Sequence, residues 1–443
     1  MEGKSLLRFL EKAPLSGFHY RLLLIGSLLY GLTGMNVMLI AAVLTPVINE
    51  FKLEPLESGL LVSVGYLGMF LGALVCGALA DQIGRKKTLL FTTTIMSVFT
   101  AANMFSTNAW TMGLLRFLAG IGLGGSLPQP GIYVSEYVPA KYRGRFLGII
   151  EASWVYGALL SLAFPYILFP TLGWRLTFMV ALIPLVLIPL IVFLIPESLR
   201  YLQLKGKVEE AVDFLKRQSL IAEDFVEERL SIEVCGKRKV KEALKELWSP
   251  LYWKRTLLLW VLWAVLVYTY HGIFVWLPTI YVKELGLTVV KSIEWTIAVT
   301  LAQIPGYYSA AFLLDRVGRK PIATTYLAMA GAACILLSQA RTPELIFLWS
   351  AVISFFNLGA WSALYAYTPE LYPTLFRGTG SGAAASIGRL AGTIAPTLTP
   401  LLYSYGGLTL SFAMFALIHF WGAVTVVAFG VETKGKTLEE IAK

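Results

Sequence analysis

Twelve runs of roughly twenty apolar residues, separated by short polar connections, constrain this chain more than any other feature. A segment of that length and polarity crosses a bilayer as a single helix. The runs fall near 21–44, 57–80, 88–105, 110–136, 146–169, 174–195, 255–281, 290–314, 321–339, 344–367, 380–403 and 407–430. Only helices and closed barrels satisfy their backbone inside hydrocarbon, and a barrel strand reads as about ten residues of alternating polarity. These continuous runs therefore predict an all-α membrane protein with twelve transmembrane helices. Composition agrees: 57% of residues are hydrophobic, 14% are charged, and the mean hydropathy is +0.69, too apolar for a soluble domain.

The net charge of +10 raises nucleic acid as a partner, and the placement of the charges argues against it. Of 37 Lys and Arg, 30 lie in loops on the side of the N-terminus, five lie on the opposite side and two lie inside apolar runs. Such a bias predicts a cell-membrane protein with both termini and the central loop cytoplasmic. The basic run "CGKRKVKEALKEL" reads as a solvated or headgroup-facing surface, so the bilayer is the expected partner. Cys76, Cys235 and Cys334 form neither a pairing nor a metal-ligand pattern. No nucleophile triad, metal cluster or cofactor loop is visible, so neither an enzyme nor a cofactor is expected. No cleavable signal peptide is expected either, since the first run is long enough to span.

The polar stretch between the sixth and seventh runs divides the chain into 1–195, 196–254 and 255–443, that is, two groups of six helices around a central loop. Adding 234 to Asp81, Gly84, Arg85 and Lys86 gives Asp315, Gly318, Arg319 and Lys320. The same addition carries Glu136, Pro139, Arg143, Gly144 and Gly148 onto Glu370, Pro373, Arg377, Gly378 and Gly382. One offset shared by two separate motifs indicates an internal duplication with parallel halves, an arrangement that carriers use to build a site between two bundles.

"GALADQIGRKK", "RFLAGIGLGG", "SEYVPAKYRGR", "PESLRYL", "TPELYPTLFRGTGSG" and "VETKGKTLEEI" resemble signatures of the major facilitator superfamily, over nearly the whole chain. The stretches "LPQPGIYVSEYVPAKYRGR" and "TPELYPTLFRGTGSGAAASIGRLAGTIAP" are most similar to its niacin-permease, synaptic-vesicle-protein and organic-ion carrier branches. The helix 7 segment "LVYTYHGIFVWLPTIYV" lacks the glutamine-rich motif of sugar porters. The resemblance implies a monomeric carrier of a small solute that works by alternating access. It also implies cytoplasmic latches: Asp81 against the start of helix 11 near Gly380, Arg85 near Glu136 and Arg143, and Asp315 against the start of helix 5. Arg319 would lie near Glu370 and Arg377, with Glu197 and Arg200 joining the first cluster.

Ionisable groups inside membrane helices are costly and mark sites. Arg389 lies about ten residues into helix 11, roughly 15 Å from its cytoplasmic start and near mid-bilayer. Relatives of the organic-ion branch tend to place Asp there for cations and Arg for anions, so the resemblance implies a carboxylate substrate. A structural ion pair with Glu151 is the other reading of Arg389. His271, Asn36, Tyr270, Trp276 and Trp361 complete the expected binding residues. Proton-coupled relatives carry an Asp in helix 1 and another in helix 4, where this chain has Asn36 and Pro130. Any proton coupling then falls to Arg116, Glu151, His271 or Glu294. A neutral sugar carrier and a non-transporting sensor on the same fold are the alternatives. Pro128 and Pro130 should break helix 4 and expose backbone to a cavity.

Overall fold

A computed structural model describes residues 14–218, 220, 240–373 and 377–434. Within these the secondary structure is helical. The first bundle holds α1 (Gly17–Phe51), α2 (Pro55–Ile83), α3 (Arg85–Ala102), α4 (Ala109–Ser126), α5 (Gln129–Tyr137) and α6 (Ala140–Thr177). A tight 3-10 stretch (Phe178–Val186) and α7 (Leu187–Leu194) complete it. Three short helices, α8 (Leu199–Leu204), α9 (Val208–Arg217) and α10 (Val240–Leu247), lie between the bundles. The second bundle holds α11 (Trp253–Phe274), α12 (Leu277–Leu285), α13 (Val289–Leu301), α14 (Gln303–Val317), α15 (Arg319–Ser338), α16 (Pro343–Glu370) and α17 (Arg377–Phe429).

Nine helices among the described residues are long and apolar enough to cross a membrane. Two of them are interrupted by kinks at glycine: α6 at Gly173, with φ 69°, and α17 at Gly406 and Gly407. The pieces α4 and α5 adjoin in sequence, and neither is counted among these nine. Pro128 accounts for the interruption between α4 and α5, since it cannot donate to the helical ladder and the segment restarts at Gln129.

The glycines of α4 set how closely it meets its neighbours. A Cβ on Gly124 would lie 1.9 Å from the Met69 carbonyl oxygen, and one on Gly120 would lie 2.2 Å from that of Gly65. Any side chain at either place would push α2 away, so this run is a packing seam.

Both ends of the described chain and the short central helices lie on one face, here the terminal face; the other is the far face. Arg21 Nη2 donates to Gln218 Oε1 at 2.7 Å, and Arg319 backbone N–H donates to Glu432 at 3.0 Å. On the far face the bundles are in contact. The Thr45 and Thr279 hydroxyls are 2.9 Å apart, those of Ser63 and Thr397 are 2.7 Å apart, and Ala42, Leu162 and Ile293 form a small apolar cluster. Gly59 is required there, because a Cβ would come within 2.6 Å of the Thr397 Cα.

Candidate functional site

Between the bundles lies a cavity of about 290 Å³. Glu151 and Arg389 on its wall stand about 17 and 18 Å from the terminal-face starts of α6 and α17, by the helical rise per residue. Leu147 and Ala385, one turn nearer the terminal face, also line it, so the cavity extends toward that face. Pro128 and Gly131, at the break before α5 and just inside it, supply another part of the wall.

The lining is strongly aromatic. Tyr30, Tyr66, Trp154, Trp263, Tyr270, Tyr307, Trp361 and Tyr365 all contribute. Several are held by hydrogen bonds that fix their rings. Trp154 Nε1 donates to the Tyr270 hydroxyl at 2.9 Å, Trp263 Nε1 donates to Thr368 at 3.1 Å, and Tyr307 donates to the Gly148 carbonyl at 3.3 Å. The Tyr30 and Tyr365 hydroxyls, on α1 and α16, are 3.3 Å apart and join the two bundles. Three titratable groups interrupt the aromatic wall: Arg389, Glu151 and His271. His271 is 8% exposed, its Nδ1 lies 2.9 Å from the Val267 carbonyl oxygen, and its ring meets Tyr66 edge-on at 4.7 Å.

Arg389 and Glu151 do not pair. The ion pairs and side-chain hydrogen bonds of the described residues include neither the guanidinium nor the carboxyl. The structural-pair reading of Arg389 is thereby corrected, because the two side chains share a cavity wall without touching. Tyr270 and Trp361 line the same space. Trp276 does not; it is buried at the junction of α11 and α12, away from the cavity lining.

Asn36 sits behind the wall, in a cleft of about 20 Å³ with Arg116 and Tyr66. There Arg116 Nε donates to the Leu61 carbonyl at 3.0 Å and Nη2 to that of Val62 at 3.4 Å. Asn36 Nδ2 donates to the Ala181 carbonyl at 3.3 Å. Glu294 lies outside both spaces, in a half-exposed pair with Lys291 at 2.7 Å, one turn away on α13. Its position at the far-face end of that helix removes it from the cavity.

The latch residues form two clusters, each within one bundle. Arg85 Nε meets Glu136 Oε1 at 3.0 Å, and Ser198 donates to Glu136 Oε2 at 2.6 Å. Glu197 Oε1 accepts the backbone N–H groups of Arg85 at 2.8 Å and Lys86 at 3.0 Å. In the second bundle Arg319 Nη2 meets Glu370 Oε1 at 3.0 Å, and Thr433 donates to Glu370 Oε2 at 2.6 Å. Glu432 accepts the backbone N–H groups of Arg319 and Lys320 at 3.0 and 3.1 Å. Burial pushes the Glu432 carboxyl up, but the backbone donors of Lys434, Arg319, Lys320 and Thr433 outweigh it and hold it below the usual carboxylate range.

Glycine is needed at both turns. Gly84 has φ 102° and Gly318 φ 115°, a region that side-chain-bearing residues avoid. A Cβ there would also strike the Glu197 or Glu432 carboxylate, at 2.3 and 2.5 Å.

Two latch expectations are corrected. Among the described residues Asp315 does not reach the start of helix 5; its side chain is 83% exposed and bonds Arg319 on the adjoining turn, at 3.3 Å. In this conformation the terminal-face ends of the bundles are not joined through it. Arg143 does not join Arg85 and Glu136; its Nη2 donates to the Val138 carbonyl at 3.3 Å. The side chains of Asp81, Arg200 and Arg377 lie outside the described part of the structure.

Sequence reasoning missed Glu432 and Thr433, although "PES" after the sixth run and "VET" after the twelfth carried the signal. It also missed Tyr30, Tyr66, Trp154, Trp263, Tyr307 and Tyr365, for which no comparable signal exists.

The chain is matched by the family model described as sugar (and other) transporter over residues 25–443. It is 38% identical to the niacin transporter NiaP of Acinetobacter baylyi, over 98% of each chain. It is 26% identical to the benzoate transport protein of the same organism, over 90% of this chain and 86% of that one. The fold is similar to that of the xylose transporter XylE from E. coli in a partially occluded inward open conformation, with TM-score 0.75 and 19% identity, over 95% of this chain and 100% of that one. An aromatic cavity between two helical bundles and a family match over almost the entire sequence lead to one assignment: the chain belongs to the sugar (and other) transporter family of the major facilitator superfamily, whose members are multi-pass membrane transporters.

Proposed function

We propose that this transporter carries a small organic anion, a carboxylate on a flat ring, across the cell membrane by alternating access, with both termini cytoplasmic. The observation that carries the reading is the unpaired guanidinium of Arg389 on the wall of a mid-depth aromatic cavity. A guanidinium at that depth needs an anion, and its planar fork holds a carboxylate through two parallel hydrogen bonds. The rings around it match a flat solute, and about 290 Å³ sits at the small end of ligand cavities, which span roughly 300–1,000 Å³. Relatives named for niacin and for benzoate, two ring carboxylates, support the same class. The excess of Lys and Arg on the terminal face supports the orientation. A proton travelling with the cargo would load on Glu151 or His271, since both line the cavity whereas Arg116 and Glu294 do not.

The test is binding of benzoate and nicotinate to the purified protein in detergent, compared with Arg389→Ala and Arg389→Lys. Loss of the charged double hydrogen bond should weaken binding by about tenfold or more, with Lys restoring part of it. Equal affinity in the folded Ala variant overturns the reading.

A further inference from the structure

We propose that the elbow between α10 and α11 is a docking site for anionic phospholipid of the terminal-face leaflet. The acyl chains would lie against Leu244, Trp248 and Leu251, and the headgroup between Lys245 and Lys254.

The pattern begins in α10. At about 100° per residue the order around this helix is Leu247, Leu244, Lys245, Glu242 and Glu246. Leu247 is fully buried, and the helix packs against α17. Beside it runs an apolar row that the protein leaves uncovered: Leu244 and, past the helix end, Trp248 and Leu251 are between 41% and 51% exposed. Lysine borders the row and both acids of the helix lie beyond it, the arrangement of a helix lying in a membrane interface. Large exposed apolar side chains in one row mark a contact surface.

The exposure is built into the elbow. The Thr256 hydroxyl donates to the Leu247 carbonyl at 2.7 Å, and the Tyr372 hydroxyl donates to Thr256 at 3.0 Å. The Tyr372 ring rests on α17, where a Cβ on Gly380 would come within 2.5 Å of it. These bonds fix α10 at the end of α11 with its apolar row turned outward.

The level of the row in the bilayer follows from its neighbours. Trp253 opens α11 and packs at 5.9 Å against Phe429, the last residue of α17. Aromatic residues at the ends of two spans mark the headgroup level. Lys254 is exposed there, with its Nζ 5.7 Å from the centre of the Trp253 ring. Trp248 reaches deeper, since its ring meets that of Trp260 edge-on at 5.0 Å, two turns into α11. Cations at headgroup depth and indoles at acyl depth fit a phospholipid.

Two further observations choose the occupant. Trp260 Nε1 is buried with no hydrogen-bond partner among the described residues. A phospholipid carries ester carbonyl oxygens just below its phosphate, the kind of acceptor this donor lacks. The charge near the row is positive: Lys245 and Lys254 are both exposed, while Glu242 and Glu246 lie on the other side of α10. Two ammonium groups at the bilayer surface favour an anionic headgroup over a zwitterionic one.

The test uses the full chain in vesicles of phosphatidylcholine with phosphatidylglycerol as the minor component. A nitrobenzoxadiazole label is placed at Leu244→Cys in a Cys235→Ser background; Cys76 and Cys334 are buried. A nitroxide quencher is carried on the acyl chain of one lipid or the other, with the vesicle composition unchanged. Phosphatidylglycerol should quench about threefold or more per mole than phosphatidylcholine at low salt, and less so as salt rises. Lys245→Gln with Lys254→Gln should bring the ratio toward one. Equal quenching in the parent overturns the anionic site, and that arm needs no charge variant. A preference that survives both substitutions also overturns it. Absence of quenching by either lipid overturns the docking surface altogether, since the face would then be open to water or covered by protein.

Discussion

The hydroxyls of Thr45 and Thr279 are 2.9 Å apart, and the two residues are 234 positions apart in the chain. That separation is the offset relating the two halves, so equivalent residues of the two copies meet each other. A residue can touch its own counterpart only on the axis that relates the copies. Thr45 and Thr279 therefore mark that axis on the far face, where the bundles are closed.

Removing this bond should loosen the far face selectively. In a Thr45→Val, Thr279→Val variant both hydroxyls are replaced by methyls of similar shape, so no buried group is stranded. A bond of this kind contributes about 0.5–1.5 kcal/mol, enough to move the ratio of far-open to far-closed molecules by about two- to tenfold. Spin labels at Lys52→Cys and Glu284→Cys, on opposite bundles, should show a larger share of long distances. An unchanged distance distribution counts against the bond as a closing element.

Nearer the cavity, Tyr30 and Tyr365 connect the bundles through their hydroxyls at 3.3 Å. A Tyr30→Phe, Tyr365→Phe variant keeps the rings and should shift the population the other way, opening the terminal face by a comparable factor. Labels at Lys141→Cys and Arg316→Cys should then separate further on average. A shift toward shorter distances would refute this assignment.

Glu432 holds the backbone N–H groups that open α15, in the way Glu197 does for α3. Glu432→Gln should cost about 1–3 kcal/mol, since a carboxylate accepting backbone donors becomes an amide with one acceptor. Its pH dependence has a definite sign. A carboxyl held below its unfolded value stabilises the fold above that value, roughly pH 4.3, and the contribution is lost as pH falls through the folded value. Melting in detergent should decline less steeply between neutral and acid pH for Glu432→Gln than for the wild type. Parallel profiles would remove Glu432 from the acid response.

What could be read from the chain follows from which features are local. A run of twenty apolar residues declares its own length and helicity, so the all-helical membrane fold was legible, as was the break that Pro128 forces in the fourth run. Arg389 was visible because a charge in such a run stands out, and the rise per residue gives its depth. Which aromatics would face the cavity was not visible. With 13% of the chain aromatic, Trp361 and Trp276 look alike in sequence; only packing between distant helices separates the one on the wall from the one behind it. Among the latches, Arg85 with Glu136 and Arg319 with Glu370 were legible from the repeated motif, whereas the placement of Asp315 was not. Whether Asp315 touches the opposite bundle depends on the conformational state, and a repeated motif specifies the contact surfaces without the state.

The placement of Glu151 and Arg389 on separate bundles has a mechanical consequence. A solute filling the cavity would touch both walls at once and act as a crossbar between the moving parts, resisting gaping at both entrances. Without such a strut the bundles are tied by contacts such as Thr45–Thr279 and Tyr30–Tyr365. Loading would thus favour the shut intermediate, and the tighter the fit against both walls, the slower the release.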